Sequence, residues 1–217
     1  MTRVFLHSAN LAKFDAPRLP VPQVGADVTY HLYTETEFPP RPKGVSPRLQ
    51  ARIPKIFGWD LSPGYDVYFW QDASLHVARE DAVSWFLDQL GDADFLAFRH
   101  PWRATLAEEM DFVRWKIKKS RYLQTRYEGE DLEGLWQYVE RQGMLQALLY
   151  ASTAFCYRSP TPEMQQSMWM WWALTSRYHA IDQVQYTLAL APHRVVVLDE
   201  DIYHASHLTF TRAHGHG

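Results

Sequence analysis

Tyr65-Asp66-Val67-Tyr68-Phe69-Trp70-Gln71-Asp72-Ala73-Ser74 is the stretch on which the fold class turns. Its apolar and aromatic run lacks the alternation of a half-solvated strand and reads as a strand buried on both faces of a sheet. One ionisable residue, Asp72, stands at its carboxyl end, where burial is expensive unless the side chain opens onto a site. In open α/β sheets ligands bind at that end of the strands. Upstream, Arg48, Arg52 and Lys55 recur at helical spacing, so they share one face and suit a diphosphate. The Asp72 carboxylate suits the hard divalent cation that often accompanies a diphosphate. This is the layout expected of a nucleotide-sugar site.

Strand-like and helix-like segments alternate along the rest of the chain, which argues for an α/β sheet. Residues 2–8 and 28–34 read as the first two strands, 65–72 as the third, 95–99 as the fourth, and 194–198 as a late one. Thr153 to Arg158, around the single Cys156, is a further strand. Pro39, Pro40, Pro42 and Pro47 mark a loop before a basic helix over 46–57. A helix over 80–90 closes on Gly91 as its C-cap, and Thr161-Pro162-Glu163 opens another with an N-cap hydroxyl and a first-turn proline. Leu106, Met110, Val113 and Ile117 keep helical spacing, as do Leu132, Leu135, Trp136 and Val139. Residues 182–190 continue helically until Pro192.

Bulk properties exclude several classes. A chain of 217 residues, 47% hydrophobic and 15% aromatic, can bury a full core as one domain over residues 1–210, with a flexible tail over 211–217. No apolar run is long enough for a transmembrane helix, and the N-terminal residues lack the apolar region of a signal peptide, so a cytoplasmic location is expected. Cys156 has no internal partner and reads as a small buried hydrophobe. A net charge of -3 gives no global attraction to nucleic acid or to anionic membrane.

Several segments in order carry a resemblance. Arg52-Ile53-Pro54-Lys55, the stretch from Tyr65 to Leu75, Arg99-His100-Pro101-Trp102-Arg103 with Glu108-Glu109, and Asp182-Gln183 together resemble the glycosyltransferase-like family of plant mucilage and turgor-regulating proteins, with its bacterial and viral relatives. Phe14-Asp15 follows the first strand where that family often has a Gly-Tyr-Asp turn. The resemblance implies a transferase of the glycosyltransferase A type, with a central mixed, mostly parallel sheet flanked by helices. It implies a nucleotide-sugar donor, a UDP-sugar foremost, and a divalent metal on Asp72. Gln71 and Ser74 flank that aspartate in place of the simplest Asp-x-Asp pattern, so water, phosphate oxygens and a distant ligand would complete the metal's shell. His204 and His207 are the candidates for that ligand, and imidazole favours manganese over magnesium.

The same resemblance assigns the remaining candidates. His100 and Arg103 would neutralise phosphate or orient the sugar, Glu108 or Glu109 would meet a sugar hydroxyl, and Asp182 with Gln183 would lie near the sugar. Each has a structural alternative. Glu108 and Glu109 sit in a first helical turn, where the helix dipole alone favours carboxylates. Asp182 begins a helix and is equally suited to an N-cap. An inverting transferase needs a carboxylate base, for which Asp182 or Glu109 would serve, whereas a retaining one can use the leaving phosphate itself, and the sequence does not choose between them.

Two further features bear on the acceptor. Met168-Trp169-Met170-Trp171-Trp172 places indoles all around one helix, so not all of them enter one core. Arg114, Lys116, Lys118, Lys119 and Arg121 with Trp115 and Tyr122 form either a solvated basic face or a surface for nucleic acid. The expected activity is therefore metal-dependent sugar transfer to a glycan or small-molecule acceptor. A hydroxylated nucleobase in DNA is the alternative acceptor, and a noncatalytic nucleotide- or carbohydrate-binding module the alternative of another class.

Overall fold

The computed structural model describes residues 1–13, 15–41, 44–178 and 182–210. Phe14, Pro42, Lys43, His179 to Ile181 and the 211–217 tail with His214 and His216 lie outside them. Eight strands are seen among the described residues: β1 Arg3–Ala9, β2 Asp27–Tyr33, β3 Val67–Gln71, β4 Leu75–Val77, β5 Phe95–Arg99, β6 Tyr150–Arg158, β7 Val195–Leu198 and β8 Leu208–Phe210. The helices are α1 Pro47–Gln50, α2 Arg52–Leu61, α3 Ala82–Leu90, α4 Leu106–Lys119, α5 Arg121–Arg126, α6 Leu132–Arg141, α7 Pro162–Arg177 and α8 Gln183–Leu190.

Six strands form one sheet in the order β2-β1-β3-β6-β5-β7. β1 pairs parallel with β2 and β3, β5 pairs parallel with β7, and β6 alone runs antiparallel, to both β3 and β5. The sheet is thus mixed and mostly parallel, and one domain is built on it. All five residues of β3 are buried, Gln71 along with the apolar run from Val67 to Trp70. Side chains alternate between two cores. Val4, Leu6, Val67, Phe69, Ala154 and Cys156 enter the layer beneath α3, while Phe5, Tyr68, Trp70, Phe155 and Tyr157 enter the layer beneath α2, α7 and α8. A third cluster joins α4, α6 and α8 through Leu106, Met110, Leu135, Val139, Val184 and Leu188.

Local chemistry explains most boundaries. Thr161 accepts a hydrogen bond from the Met164 N–H at 3.3 Å with Pro162 in the first turn, and Gly91 ends α3 at a φ of 52°. Cys156 is buried, and burial pushes its thiol up to about 12. The basic helix expected over 46–57 is two helices that meet at Ala51 and run on to Leu61. The break places Pro54 in the first turn of α2, where its missing N–H costs nothing. α2 then packs against β1 at Gly58, where a Cβ would stand 2.3 Å from His7 Nε2. The tryptophans of α7 divide as the helical geometry demands, with Trp171 1% exposed in the core and Trp169 55% exposed.

Candidate active site

β1, β3 and β5 end on one rim of the sheet, and antiparallel β6 brings its N-terminal half to the same place. The join is explicit: the Asp72 N–H donates to the Thr153 carbonyl at 2.7 Å. Asp72 therefore begins where β3 stops, with Ser152 and Thr153 alongside and His100 just past β5.

Four charges meet at that rim. The ammonium of Lys55, 1% exposed, lies 2.9 Å from Asp182 Oδ2, 3.4 Å from Asp72 Oδ1 and 3.3 Å from Ser152 Oγ. It donates hydrogen bonds to Asp72 Oδ1 and Ser152 Oγ and meets Asp182 Oδ2 as an ion pair. Arg52 reaches Asp182 Oδ1 at 3.3 Å, and the Ser152 hydroxyl donates to the same oxygen at 3.2 Å. Burial would raise the Asp182 pKa, but the charges of Arg52 and Lys55 overcome it and hold the carboxyl below its usual range. Asp182 precedes α8 yet its carboxylate makes no capping hydrogen bond, so its ion pairs account for it. The Trp70 indole N–H donates to Asp72 Oδ1 at 2.8 Å and fixes that carboxylate from below, while about a third of the side chain stays open to solvent.

A second cluster follows β5. His100 Nδ1 accepts from the backbone N–H groups of Trp102 and Arg103 at 3.3 and 3.1 Å, which folds the loop around the imidazole. Arg103 then pairs with Glu109 on the first turns of α4 and lies over the Phe112 ring at 4.1 Å. Burial raises the Glu109 pKa against the pull of Arg103, and burial together with the Arg103 charge lowers that of His100 to about 4.

These groups line a cleft with two compartments. One, of about 400 Å³, holds the His100, Arg103 and Glu109 cluster with Asp182, Gln183, Ser152 and Thr153. The other, of about 560 Å³ and more apolar, runs from Ala9 to Ala12 and includes Asp15, Ser46 and Trp70. Arg48, Arg52, Asp72, Ser74 and Phe210 belong to both, so the charged rim is the junction between them. The Arg48 guanidinium sits over the Tyr127 ring at 4.4 Å.

The fold thus brings together Arg48, Arg52, Lys55, Asp72, His100, Arg103, Glu109, Asp182 and Gln183. It does not bring the other three expected residues with them. Glu108 lines neither compartment; its carboxylate accepts from the Ala104 N–H at 2.6 Å and its N–H donates to the Thr105 hydroxyl, a cap of α4. His204 is exposed and pairs with Asp201 at 3.1 Å, and His207 stacks on Trp85 of α3 at 4.2 Å. Neither imidazole lines the cleft. Asp15, which the sequence shows only as part of the turn after the first strand and gives no site role, also lines the second compartment. Burial, and next the Asp72 charge, raise its pKa, so the two carboxylates feel each other.

Comparison with known proteins places this architecture. The crystal structure of mouse Xyloside xylosyltransferase 1, apo form, superposes with a TM-score of 0.53 at 12% identity, over 91% of this chain and 85% of that one. The fold is of the glycosyltransferase A type. A glycosyltransferase involved in the glycosylation of the major capsid of PBCV-1 gives a TM-score of 0.44 at 11% identity, over 90% of this chain and 81% of that one, and nothing below rests on it. No family model matches the chain, and no curated protein matches its sequence. Among the described residues no helix is long and apolar enough to cross a membrane.

Chemically, the junction can hold a polyanion. Arg48 and Arg52 border both compartments and Lys55 backs the carboxylates. The donor set for a metal can be tested the same way. Among the described residues no three His, Cys, Asp or Glu side chains converge as a protein cage. A magnesium- or manganese-like ion needs only one or two carboxylates when diphosphate oxygens complete its shell. Asp72 with Ser74 beside it, and Asp15 in the second compartment, meet that requirement.

Proposed function

We propose that the chain is a glycosyltransferase that moves a sugar from a nucleotide sugar, a UDP-sugar foremost, to an acceptor hydroxyl, as in the mucilage-type family its motifs resemble. The observation that carries the reading is the junction of Arg48, Arg52, Lys55 and Asp72 between two compartments at the strand ends of this fold. The apolar compartment next to β1 suits the nucleoside, the junction the diphosphate, and the polar compartment the sugars.

Glycosyl transfer asks for stabilised negative charge on the departing diphosphate and an aligned acceptor oxygen. Arg48 and Arg52 supply positive charge, and Asp182 holds Arg52 and Lys55 in place by its ion pairs. A divalent metal, manganese in preference to magnesium, would be held by Asp72 with Ser74 or Asp15 and would add charge at the diphosphate. His100, Arg103 and Glu109 face the sugars. Asp182, doubly ion-paired with a lowered pKa, is a poor proton acceptor, whereas Glu109, with a raised one, is the candidate base.

DNA as acceptor loses ground because Arg114, central to the basic stretch, pairs with Glu133 and with Asp111 at 3.6 Å. Turnover separates the transferase from a noncatalytic module. A panel of nucleotide sugars, with and without manganese, is expected to include one that stabilises the protein thermally and is slowly hydrolysed. Stabilisation without hydrolysis or transfer would return the chain to a binding module.

A further inference from the structure

Three aromatic rings gather in the lining of the polar compartment. Trp102, in the loop after β5, stacks on Tyr203 with centroids 5.1 Å apart and planes 8° from parallel. Phe210 of β8 meets Tyr203 edge-on at 5.0 Å. All three border the compartment that holds Glu109 and Asp182. The assembly is held from behind by the His100 ring, which meets Trp102 edge-on at 5.8 Å. With one face against Tyr203, Trp102 is still 65% exposed. An indole fixed in position yet open to water gives nothing to the core, and a fixed aromatic face is a low-entropy contact for a ligand.

We infer that Trp102 and Tyr203 form the acceptor shelf of the cleft, and that its occupant is a neutral pyranose ring of an acceptor glycan. The inference rests on the transferase reading and names the acceptor class for it. A pyranose presents an apolar C–H face to an indole, which gains dispersion contact and removes apolar area from water. Its hydroxyls then meet a polar edge, which Arg103 and Glu109 supply beside the shelf. The acidic segment beside the shelf weighs against a nucleic acid at this end of the cleft. Asp199-Glu200-Asp201 precedes Tyr203 with one residue between them, and the Asp199 side chain is 78% exposed although it pairs with Arg99. A phosphodiester backbone would be repelled there, while a neutral sugar is indifferent to it.

The test uses methyl glucoside, methyl galactoside, methyl mannoside and methyl xyloside as probes, with a short oligothymidine as the competing class. Binding is followed by saturation-transfer NMR with and without uridine diphosphate and manganese, on the parent, Trp102→Ala and Trp102→Phe. Because Trp102 is exposed, both variants are expected to keep the parent melting temperature. At least one glycoside is expected to bind the parent, with affinity about tenfold lower in Trp102→Ala and largely kept in Trp102→Phe, as for loss of one aromatic contact with its buried area. Uridine diphosphate affinity, measured by calorimetry, should be the same in all three. Glycoside binding that ignores Trp102, or none to the parent, overturns the shelf. So does oligothymidine binding that is lost in Trp102→Ala. If glycosides bind through Trp102 but uridine diphosphate never binds, the sugar subsite stands and the transferase reading fails.

Discussion

The ammonium of Lys55 stands 2.9 Å from Asp182 Oδ2, with both side chains no more than 4% exposed. This contact ties the first turn of α2 to the start of α8, and Arg52 and Asp72 complete a group of two positive and two negative charges. Removing one charge leaves the others buried without balance, which costs about 3–5 kcal/mol when one partner of a buried pair is deleted. Lys55→Met and Asp182→Asn are each expected to lose stability of that order, read from the urea midpoint multiplied by the slope of the transition. The double variant should cost less than the sum, because the two losses share one contact. Additive costs would mean that the pair is not coupled.

Asp72 is different because about a third of its side chain meets solvent. Asparagine still accepts the Trp70 N–H, so Asp72→Asn should fold and melt near the parent. It is expected to lose manganese-dependent binding of uridine diphosphate while keeping any metal-free binding through Arg48 and Arg52. Calorimetry with and without manganese measures both, and an unchanged metal effect in the variant would remove Asp72 from the metal site.

The amino-acid order alone carries much of this arrangement. The four-residue apolar run Val67–Trp70 of β3 fits a doubly buried strand, and Asp72 therefore has to emerge at the ligand edge. The ribbon of β4 and β8 is not legible, since three residues on each side leave no pattern to read. The break at Ala51 is hidden because Arg48, Arg52 and Lys55 keep helical spacing across it. Asp182 resembles a cap because its partners lie far away in sequence, on α2. His204 and His207 have a ligand-like spacing, but Asp201 takes one and Trp85 the other. The capping role of Glu108 is readable, for Thr105 three residues before it is the signature of a capping box.

Acid should loosen the fold before the carboxylates titrate. Burial lowers the His7 pKa to about 4, and burial with the Arg103 charge does the same to His100. Between pH ~6.5 and ~4 the unfolded chain binds protons that the native state refuses, so stability falls as pH falls through that window. For His7 the loss is on the order of 3 kcal/mol. Asp182, with a lowered pKa, adds a loss of the same sign at lower pH, while Asp15 and Glu109, raised by burial, act in the opposite sense. The urea midpoint is expected to drop from pH 7 to pH 5, by a smaller amount in His7→Phe. A flat profile, or an equal slope in the variant, would show that His7 titrates normally.

Glu108 and Glu109 are neighbours with opposite expected behaviour. Glu108 braces the chain entering α4 through the Ala104 N–H, so Glu108→Ala should cost about 1 kcal/mol for that lost hydrogen bond and leave turnover unchanged. Glu109 is 2% exposed, borders the polar compartment and holds a raised pKa beside Arg103. Glu109→Gln keeps the shape and one acceptor for the guanidinium but cannot take a proton. If Glu109 accepts the acceptor hydroxyl's proton, transfer should slow at least ~100-fold, with uridine diphosphate affinity unchanged. The assay uses whichever nucleotide sugar stabilises the parent. Transfer by Glu109→Gln at the parent rate would exclude Glu109 as base. Asp182 is already committed to Arg52 and Lys55, so the departing diphosphate would then be the next candidate proton acceptor, an arrangement compatible with retention of configuration.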